Sequence, residues 1–333
     1  MAFLRCFGYN LRQAGVADVR VYVEGDKDDE LKKYTSDELK KFTMNFSNTN
    51  LIACGGFSRV YLAKFPDSTL RAVKIMDRSS ERLNRIYKQE LDILLQIQHD
   101  NIVKLLDHCE DEEFGNMLVV EYVPNGTLQD KLHGNRGIIP WRNRMAAAFQ
   151  LAQAIEYLHE KCPLQIVHGD IKSSNILLDT QLNCKLCDFG SAKMGFSSSI
   201  LPPTNRVMML GSPGYTDPHY LTTGIASRKN DIFSFGIIIL ELISGVEAFS
   251  SDSGERLISK AAPILKNVSK VAGMVDPRLD RNYDLEEAKA MATLAASCLS
   301  DFPDLRPSAS EILETMRSRI SSITFLFSVD KKV

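Results

Sequence analysis

The chain has 333 residues, of which 44% are hydrophobic and 25% are charged, a composition typical of a globular protein with a sizeable core. Its 40 Lys and Arg residues nearly balance its 42 Asp and Glu residues, and the formal net charge of −2 excludes the strongly basic surface of a dedicated nucleic-acid-binding protein. The longest apolar run, residues 232–243, is too short to cross a bilayer, and the first residues lack a signal-peptide pattern. The sequence therefore predicts a cytoplasmic protein.

Seven cysteines are spread along the chain, an odd number that fits reduced thiols better than a disulfide framework. Cys184 and Cys187 form a CxxC pair, but no second pair of ligands lies at comparable spacing, so we interpret them as small structural residues rather than zinc ligands. Cys6 lies close to Leu4 and Phe7 and is by default an unmodified thiol. S-acylation of Cys6 is the alternative, and it would attach the protein peripherally to the plasma membrane.

In chain order, residues 1–45 are predicted to form an exposed N-terminal extension, because 24–30 is a mixed charge run with little to bury. The segments 60–63 and 71–76 are short and apolar, and the turn-like sequence Pro-Asp-Ser separates them. Such a pattern indicates two strands joined by a hairpin. A small antiparallel sheet is therefore expected to begin here.

Residues 81–97 carry apolar side chains at helical spacing and predict one amphipathic helix. Residues 118–123 predict a further strand, which ends at a Pro-Asn-Gly turn. Helical periodicity then dominates, and Ser308 is a plausible N-cap. The predicted helices of this second part are 142–161, 229–244, 285–300 and 308–320. The expected fold class is therefore α+β, with a β-rich first lobe and a mostly helical second lobe.

Lys74 is the first candidate for chemistry, since it lies on a predicted strand among apolar neighbours. A buried lysine is unfavourable unless it is paired with an anion. Glu90, on the helix predicted at 81–97, is the natural partner. The pair would hold an oriented cation against nucleotide phosphates.

Two later motifs supply the remaining groups that phosphoryl transfer requires: HGDIKSSN at 168–175 and DFG at 188–190. The reaction needs a carboxylate that accepts a hydroxyl proton, oxygen ligands for Mg²⁺ and a cation against the developing charge. Asp170 can accept the proton, and Lys172 can supply the cation. Asn175 and Asp188 can supply the oxygen ligands for Mg²⁺.

Together with AVKI at 72–75, these motifs resemble the eukaryotic protein kinase family in content and in order, from about residue 51 to about residue 320. The resemblance implies that Asp170 is the catalytic base and that Lys172 contacts the transferring phosphate, an arrangement similar to Ser/Thr rather than Tyr kinases. It also implies that Lys74, paired with Glu90, contacts the α and β phosphates of ATP. Asn175 and Asp188 are implied to bind Mg²⁺.

The resemblance further implies how the domain is divided. Residues 46–320 would be the kinase domain, with an N-lobe at 46–123 and a C-lobe at 124–320, and 321–333 would be a C-terminal tail. ATP is expected to contact the glycine-rich loop at 53–60 and the residue before it, the paired lysine and glutamate, and the strand that leads into the C-lobe. These residues are Ile52, Ala53, Gly55, Ser58, Val60, Lys74, Glu90, Glu121 and Val123.

Further motifs resemble plant receptor-like kinases and, within them, the receptor-like cytoplasmic kinases. They are GGFSRVY at 55–61, EYVPNGTL at 121–128, GYTDPHY at 214–220 and DIFSFG at 231–236. The resemblance implies protein substrates, an upstream membrane receptor kinase as partner and a role in intracellular signalling. No nucleic-acid partner is expected.

The glycine-rich loop and the GYTDPHY motif depart from the family pattern. Ala53 and Ser58 replace two of the three glycines of the loop and add Cβ atoms where backbone amides approach phosphate, so reduced ATP affinity is expected. His219 replaces a glutamate of the family, so the expected ion pair with Arg306 is absent or replaced.

Gly169 is the third departure, because the family has an arginine before the catalytic aspartate. That arginine holds a phosphate on the loop that follows the DFG motif. Without it, the chain resembles a non-RD kinase, whose activity would depend weakly on phosphorylation of the serine cluster at 197–199. The alternative is that Lys193 or Arg206 takes over the role of the missing cation.

Two other functions fit parts of the sequence. The altered glycine-rich loop, Gly169 and His219 would suit a pseudokinase scaffold, but a scaffold has no physical need for the full set of catalytic and metal-binding residues. A kinase of small molecules is the second alternative. The loop GSPGY at 211–215 resembles a peptide-docking loop and favours a protein substrate.

Overall fold

The computed structural model describes residues 34–134, 137–195 and 211–327. Cys6, the charge run at 24–30, the serine cluster at 197–199 and Arg206 lie outside the described residues. In the described part, a five-stranded antiparallel sheet is followed by a mostly helical region. This arrangement confirms the predicted α+β class with two lobes.

The sheet of the N-lobe places Lys74 at its centre. Its strands are β1 (Leu51–Cys54), β2 (Ser58–Lys64), β3 (Leu70–Met76), β4 (Leu105–Asp111) and β5 (Gly115–Glu121). They lie in the order β1-β2-β3-β5-β4, and every neighbouring pair is antiparallel. Lys74 of β3 lies opposite Val60 of β2 and Leu118 of β5. Side chains alternate between the two faces of a strand, so Lys74 and Val73 face opposite sides of the sheet.

The helix predicted at 81–97 is present as α2 (Glu81–Leu94) and ends earlier than expected, with Leu95 as its C-cap. Ser80 is the N-cap and accepts a hydrogen bond from the backbone N–H of Leu83 at 3.3 Å. Glu90 is buried on the same face as the apolar residues of this helix. The helical period that packs α2 on the sheet therefore also carries Glu90 toward Lys74.

Residues 34–45 differ from the predicted exposed extension. Helix α1 (Ser36–Phe42) begins with a capping box between Thr35 and Glu38, and Leu39 is fully buried. The backbone N–H of Tyr34 donates to Asp107 Oδ2 of β4 at 2.7 Å. The charge run at 24–30 dominates the average composition of the segment, whereas a short capped helix needs only one apolar stripe to bind the sheet.

The C-lobe is built around one buried helix. Its elements are α3 (Leu128–His133), α4 (Trp141–Glu156), β6 (Ile166–Val167), β7 (Ile176–Leu178), β8 (Cys184–Leu186), β9 (Lys193–Met194), α5 (Pro218–Thr223), α6 (Arg228–Ser244), α7 (Leu257–Lys266), α8 (Leu285–Cys298) and α9 (Ala309–Arg319). Helix α6 is buried throughout from Asp231 to Ser244, and α4 and α8 pack against it. A helix that is apolar on all sides belongs in such a core.

The four predicted helices of this lobe are present as α4, α6, α8 and α9. The end of the first one, Tyr157–Lys161, is a π-helical turn, and Ser308 caps α9 as predicted. Two short antiparallel pairs, β6 with β9 and β7 with β8, flank the HGDIKSSN and DFG motifs. The two motifs therefore lie side by side.

The first part of the predicted C-terminal tail is an integral part of the C-lobe. Glu287 of α8 accepts hydrogen bonds from Trp141 Nε1 at 2.8 Å and from the backbone N–H of Ser322 at 2.7 Å. Ile323 is fully buried, and the guanidinium of Arg142 lies 3.9 Å from the centroid of the Phe325 ring. The sequence of this segment has no regular spacing of apolar residues, because separate contacts hold it rather than one apolar face. Hydrophobic periodicity therefore could not identify it.

Candidate active site

Lys74 joins two carboxylates that come from different parts of the chain. Its Nζ lies 2.8 Å from both carboxylate oxygens of Glu90 and 2.7 Å from Asp188 Oδ1. The side chain of Glu90 is 3% exposed, whereas that of Asp188 is 46% exposed. The structure therefore contains the pair expected from the sequence and brings Asp188 to it, with its carboxylate open to the cleft.

The electrostatics of this cluster keep Lys74 and Asp188 charged. Burial opposes the charged form of Lys74, but the carboxylates of Glu90 and Asp188 outweigh it and raise the pKa of the ammonium above its ordinary value. The positive charge of Lys74 holds the pKa of Asp188 below its ordinary value, against the effect of burial. A fixed cation and an anionic oxygen thus lie side by side at neutral pH.

The backbone before Asp170 is held by Asp231, a buried residue of α6. Asp231 Oδ2 accepts hydrogen bonds from the backbone N–H of His168 at 2.8 Å and from His159 Nε2 at 2.8 Å. Asp231 Oδ1 accepts from the backbone N–H of Gly169 at 2.9 Å. Burial favours the neutral form of Asp231, but its hydrogen bonds and the nearby histidines outweigh burial and lower its pKa. The buried anion therefore stays ionised and fixes the HGDIKSSN segment at 168–175, called the catalytic loop below.

The carboxylate of Asp170 is held by two partners. Lys172 Nζ lies 2.7 Å from Asp170 Oδ2, and the hydroxyl of Ser212 donates to Asp170 Oδ1 at 2.8 Å. Lys172 Nζ also donates to Ser212 Oγ at 2.9 Å, which closes the triangle. Asn175 Nδ2 donates to the backbone oxygen of Asp170 at 2.9 Å. Asp170, Lys172 and Asn175 are therefore brought together as the motif suggests.

The DFG motif contacts both α2 and the catalytic loop. Asp188 has φ 65°, a left-handed conformation that aspartate tolerates better than most residues. Phe189 is buried, its ring lies edge-on to that of His168 at 4.8 Å, and its backbone N–H donates to Glu90 Oε1 at 3.3 Å. Gln89 Nε2 donates to the backbone oxygen of Ala192. These contacts fix the direction of the Asp188 side chain.

The glycine-rich loop connects β1 and β2 above this cluster. Ile52, Ala53 and Gly55 are exposed, and the backbone N–H of Gly55 donates to the oxygen of Ser58 at 2.8 Å. Neither Ala53 nor Ser58 has a positive φ. Their side chains therefore fit without backbone strain, and strain gives no reason for the weaker ATP binding that the sequence suggested. Val60 is half-buried opposite Lys74.

The side chain of Glu121 does not join the cluster. Glu121 Oε1 accepts hydrogen bonds from Lys185 Nζ of β8 at 2.8 Å and from the backbone N–H of Lys104 at 2.8 Å. The carboxylate thus links the two lobes through its Oε1 atom. Val123 is buried where the chain passes into the C-lobe.

Arg306 keeps an ion pair, although His219 stands where the family has the glutamate that would be its partner. Asp217, two residues earlier, takes the place of that partner: its Oδ2 lies 2.6 Å from Arg306 Nη1 and its Oδ1 lies 3.0 Å from Arg306 Nη2. The two side chains are almost completely buried. This bidentate pair fixes the start of α5 and with it the end of the GSPGY loop.

Sequence reasoning missed the roles of Ser212 and Asp231. Ser212 belongs to the loop that resembles a peptide-docking loop, and Asp231 begins DIFSFG, but neither motif shows which residue its polar atom contacts. The position of Ser212 in that loop was the only feature of the sequence that pointed to a contact with Asp170.

Comparison with known proteins agrees with this geometry. Residues 46–316 match the protein kinase domain family. A probable receptor-like protein kinase of Arabidopsis thaliana is 51% identical over 306 residues, with 87% of this chain and 89% of that protein covered. The salt tolerance receptor-like cytoplasmic kinase 1 of Oryza sativa subsp. japonica is 45% identical over 293 residues, with 86% and 80% covered. A probable serine/threonine-protein kinase of Arabidopsis thaliana is 36% identical over 299 residues, with 86% and 70% covered.

The chain therefore belongs to the protein kinase family. It is a signalling serine/threonine kinase similar to plant receptor-like cytoplasmic kinases, and these relatives give no support to the pseudokinase alternative. In the described ranges, none of the helices has the length and hydrophobicity that a membrane span requires.

Proposed function

We propose that this kinase transfers the γ-phosphoryl group of ATP to Ser and Thr hydroxyls of proteins and that Asp170 accepts the hydroxyl proton. The observation that carries the proposal is the position of the Asp170 carboxylate between Lys172 and Ser212. A carboxylate held from two sides presents its oxygen in one orientation and is ready to accept a proton.

The residues around the cleft fit a Mg²⁺–ATP complex. The Asp188 carboxylate is partly exposed, and the nitrogen of the Asn175 amide is committed to Asp170, which leaves its oxygen for a metal. Hard carboxylate and amide oxygens are the ligands that Mg²⁺ prefers. When bound, ATP supplies the phosphoryl group, and Mg²⁺ neutralises part of its charge.

Each residue then has a distinct role. Lys74 would hold the α and β phosphates of bound ATP, and Glu90 keeps its ammonium in place. Lys172 stabilises the negative charge that develops during transfer, while Ser212 keeps Lys172 and Asp170 in register. Ile52, Val60 and Val123 would pack around the base of bound ATP, and the backbone at 53–58 and at Glu121 would provide polar contacts.

The test is phosphoryl transfer by the purified protein with labelled ATP and Mg²⁺. Asp170→Asn should lower kcat by about 10²–10⁴-fold and leave ATP binding nearly intact, because it removes the proton acceptor but no phosphate contact. Lys74→Met should weaken both ATP binding and turnover. If the wild-type protein transfers no more phosphate than Asp170→Asn, the protein is a pseudokinase scaffold and the proposal fails.

We further propose that the substrates are proteins and that a membrane receptor kinase acts upstream. The GSPGY loop at 211–215 lies against the catalytic loop through Ser212, where an extended peptide would present its hydroxyl to Asp170. The relatives whose names identify receptor-like and receptor-like cytoplasmic kinases support the signalling context. Preferential transfer to a small molecule over a mixture of peptides would contradict the proposal.

Peripheral attachment through Cys6 remains a separate proposal. One acyl chain gives only marginal and reversible membrane binding, so a partial membrane fraction is expected if Cys6 is acylated. Fractionation of cells that express wild type and Cys6→Ser tests this. Equal membrane fractions of the two proteins would contradict it.

A further inference from the structure

Two adjacent serines hold the C-terminal segment, residues 321–326, to helix α8. The hydroxyl of Ser321 donates to Glu287 Oε1 at 2.8 Å, and the hydroxyl of Ser322 donates to Glu287 Oε2 at 2.9 Å. The segment is a 3₁₀ helix that directly follows the C-cap of α9. Ser321 and Ser322 are called the serine pair below.

Glu287 receives most of its hydrogen bonds from the serine pair. The residue is almost completely buried, and each of its carboxyl oxygens accepts two hydrogen bonds. Three of the four come from the serine pair, including one from the backbone N–H of Ser322 at 2.7 Å, and the fourth comes from Trp141 Nε1 at 2.8 Å. A buried acceptor is unfavourable without its donors. The attachment of the segment is therefore sensitive to a change at either hydroxyl.

The C-terminal segment also packs against α4. Ile320 and Ile323, on either side of the serine pair, are buried. The guanidinium of Arg142 in α4 lies 3.9 Å from the centroid of the Phe325 ring. Because the serine pair lies between these contacts, its displacement would also pull apolar side chains away from the C-lobe.

The serine pair can be reached from solvent and follows two arginines. Ser321 is exposed and Ser322 is half-buried. Arg317 and Arg319 are exposed in the last turn of α9, and Ile320 already has an extended backbone. Only the last helical turn must fray for this stretch to become an extended peptide. Guanidinium groups at this spacing before a serine suit a kinase whose substrate groove carries carboxylates.

We propose that the serine pair is a phosphorylation site for an arginine-directed protein kinase and that phosphorylation detaches the C-terminal segment from α4 and α8. The bond between the γ-phosphorus of ATP and its bridging oxygen breaks, and a bond forms between that phosphorus and a serine Oγ. ADP leaves with the electron pair of the broken bond, and the hydroxyl proton passes to the base of the modifying kinase. The inference goes beyond the proposed function, because here the chain is the substrate of another kinase.

The product of this reaction does not fit the contact with Glu287. Phosphorylation replaces a donating hydroxyl by a group with three acceptor oxygens and a charge of about −1.5 to −2. The 2.8 Å between Ser321 Oγ and Glu287 Oε1 leaves no room for a phosphate between the two groups. Acceptors would then face acceptors at a buried site, so the segment is expected to leave it.

The modification test uses Asp170→Asn as the substrate, so that transfer by the chain itself does not contribute. The catalytic subunit of cAMP-dependent protein kinase is the arginine-directed probe, and mass spectrometry locates the phosphate. We expect phosphate on the serine pair. Adding Arg319→Gln should lower the initial rate of its labelling by about tenfold, because one charge-assisted contact is lost. Adding Arg281→Gln, at an exposed position elsewhere, is the matched control. Phosphate on neither serine, or equal rates in the two arginine variants, would overturn the assignment.

The release test compares proteins in which phosphoserine is incorporated during translation in place of Ser321, Ser322 or Ser318. Ser318 is the control, because it is exposed and its hydroxyl donates to the backbone oxygen of Thr315 at 2.9 Å. Hydrogen exchange at 321–326 should be about tenfold faster with phosphate on either member of the serine pair than in the control. Equal exchange, or slower exchange through capture of the phosphate by Arg142, would overturn the proposal.

A double-variant cycle tests whether Glu287 causes the release. Glu287→Gln replaces one acceptor oxygen by a donating amide group, which can face a new acceptor at the serine pair. The acceleration of exchange by Ser321→Glu should therefore be smaller in Glu287→Gln than in wild type. Equal accelerations in the two backgrounds would overturn the proposed cause. None of these measurements uses phosphoryl transfer by the chain itself, so they stand even if the proposed catalytic function fails.

Discussion

Gly169 is a residue whose backbone requires the absence of a side chain. Its φ is +78°, and a Cβ at this position would lie 2.9 Å from the backbone oxygen of Ser191. Its N–H is bonded to the buried Asp231. An arginine here would therefore meet both steric and conformational strain, so the non-RD character of the chain is built into the backbone of the catalytic loop.

Gly169→Ala should accordingly destabilise the protein by about 1–3 kcal/mol and lower kcat, because the loop must shift away from Ser191. Gly169→Arg should also destabilise the protein and lower kcat, and it should not make activity depend on phosphorylation of the loop that follows the DFG motif. Chemical denaturation and the transfer assay measure the two effects. Gly273→Ala is the matched control, since a Cβ there meets no atom within 4 Å. Equal stability of Gly169→Ala and this control would contradict the strain argument.

The two faces of the N-lobe sheet are covered by different helices. Helix α2 lies on the face of Lys74, and α1 covers the opposite face, where Leu39 packs with Phe65, Val73 and Met117. Val73 precedes Lys74 in β3, so the packing under α1 supports the strand that carries the lysine. A segment that looks dispensable by composition thus completes the second layer of this lobe.

Leu39→Ala should lower the free energy of unfolding by about 2–5 kcal/mol, the range for truncating a fully buried leucine. Denaturant titration measures this loss. Glu38→Gln is a milder comparison at the neighbouring position, where it removes only the charge of the capping box. A loss from Leu39→Ala below about 0.5 kcal/mol, as at an exposed site, would show that α1 does not bind the sheet.

What the sequence could predict depended on how locally each feature is encoded. Lys74, Asp170 and Asp188 stand in short contiguous motifs, and α6 has a continuous apolar pattern, so these could be found without a structure. The partnership of Asp217 with Arg306 and that of Glu287 with Ser322 join residues far apart in the chain. No periodicity reports such contacts, and only the folded chain brings them together.

Glu287 tests the role of one such contact in holding the C-terminal segment. Glu287→Gln should destabilise the protein by about 1–3 kcal/mol, because it weakens hydrogen bonds to Trp141, Ser321 and Ser322 at a buried site. Glu286→Gln, at a neighbouring exposed position, should change stability by less than about 0.5 kcal/mol. Faster proteolysis near 321–326 in Glu287→Gln only is the second expected sign. Equal behaviour of the two variants would contradict this role.

The acid stability of the whole molecule depends on carboxylates that stay ionised in the folded state. Burial favours the neutral form of Asp276, but hydrogen bonds from Arg278 and Arg144 outweigh it and hold its pKa at about 2. The pKa values of Asp188 and Asp231 are lowered in the same direction. Burial raises the pKa of Glu90 against the attraction of Lys74, so this residue acts in the opposite sense. The carboxylates with a lowered pKa therefore favour a loss of stability in acid, and Glu90 opposes it.

For Asp276 the sign and the window follow from its two pKa values, about 2 in the folded protein and about 3.9 in an unfolded chain. The unfolded state binds the proton first as the pH falls, so the stabilisation is complete above about pH 4 and is lost as the pH approaches about 2. One proton changes the free energy of unfolding by up to about 1.4 kcal/mol per pH unit in this window.

Asp276→Asn should lower stability at neutral pH, because Arg144 is left buried without its anion. It should also flatten the slope of the free energy of unfolding against pH by about that amount. Denaturant titrations between about pH 2 and 5 measure it, with the exposed Asp280→Asn as control. A slope in Asp276→Asn as steep as in the control would show that another group causes the acid sensitivity.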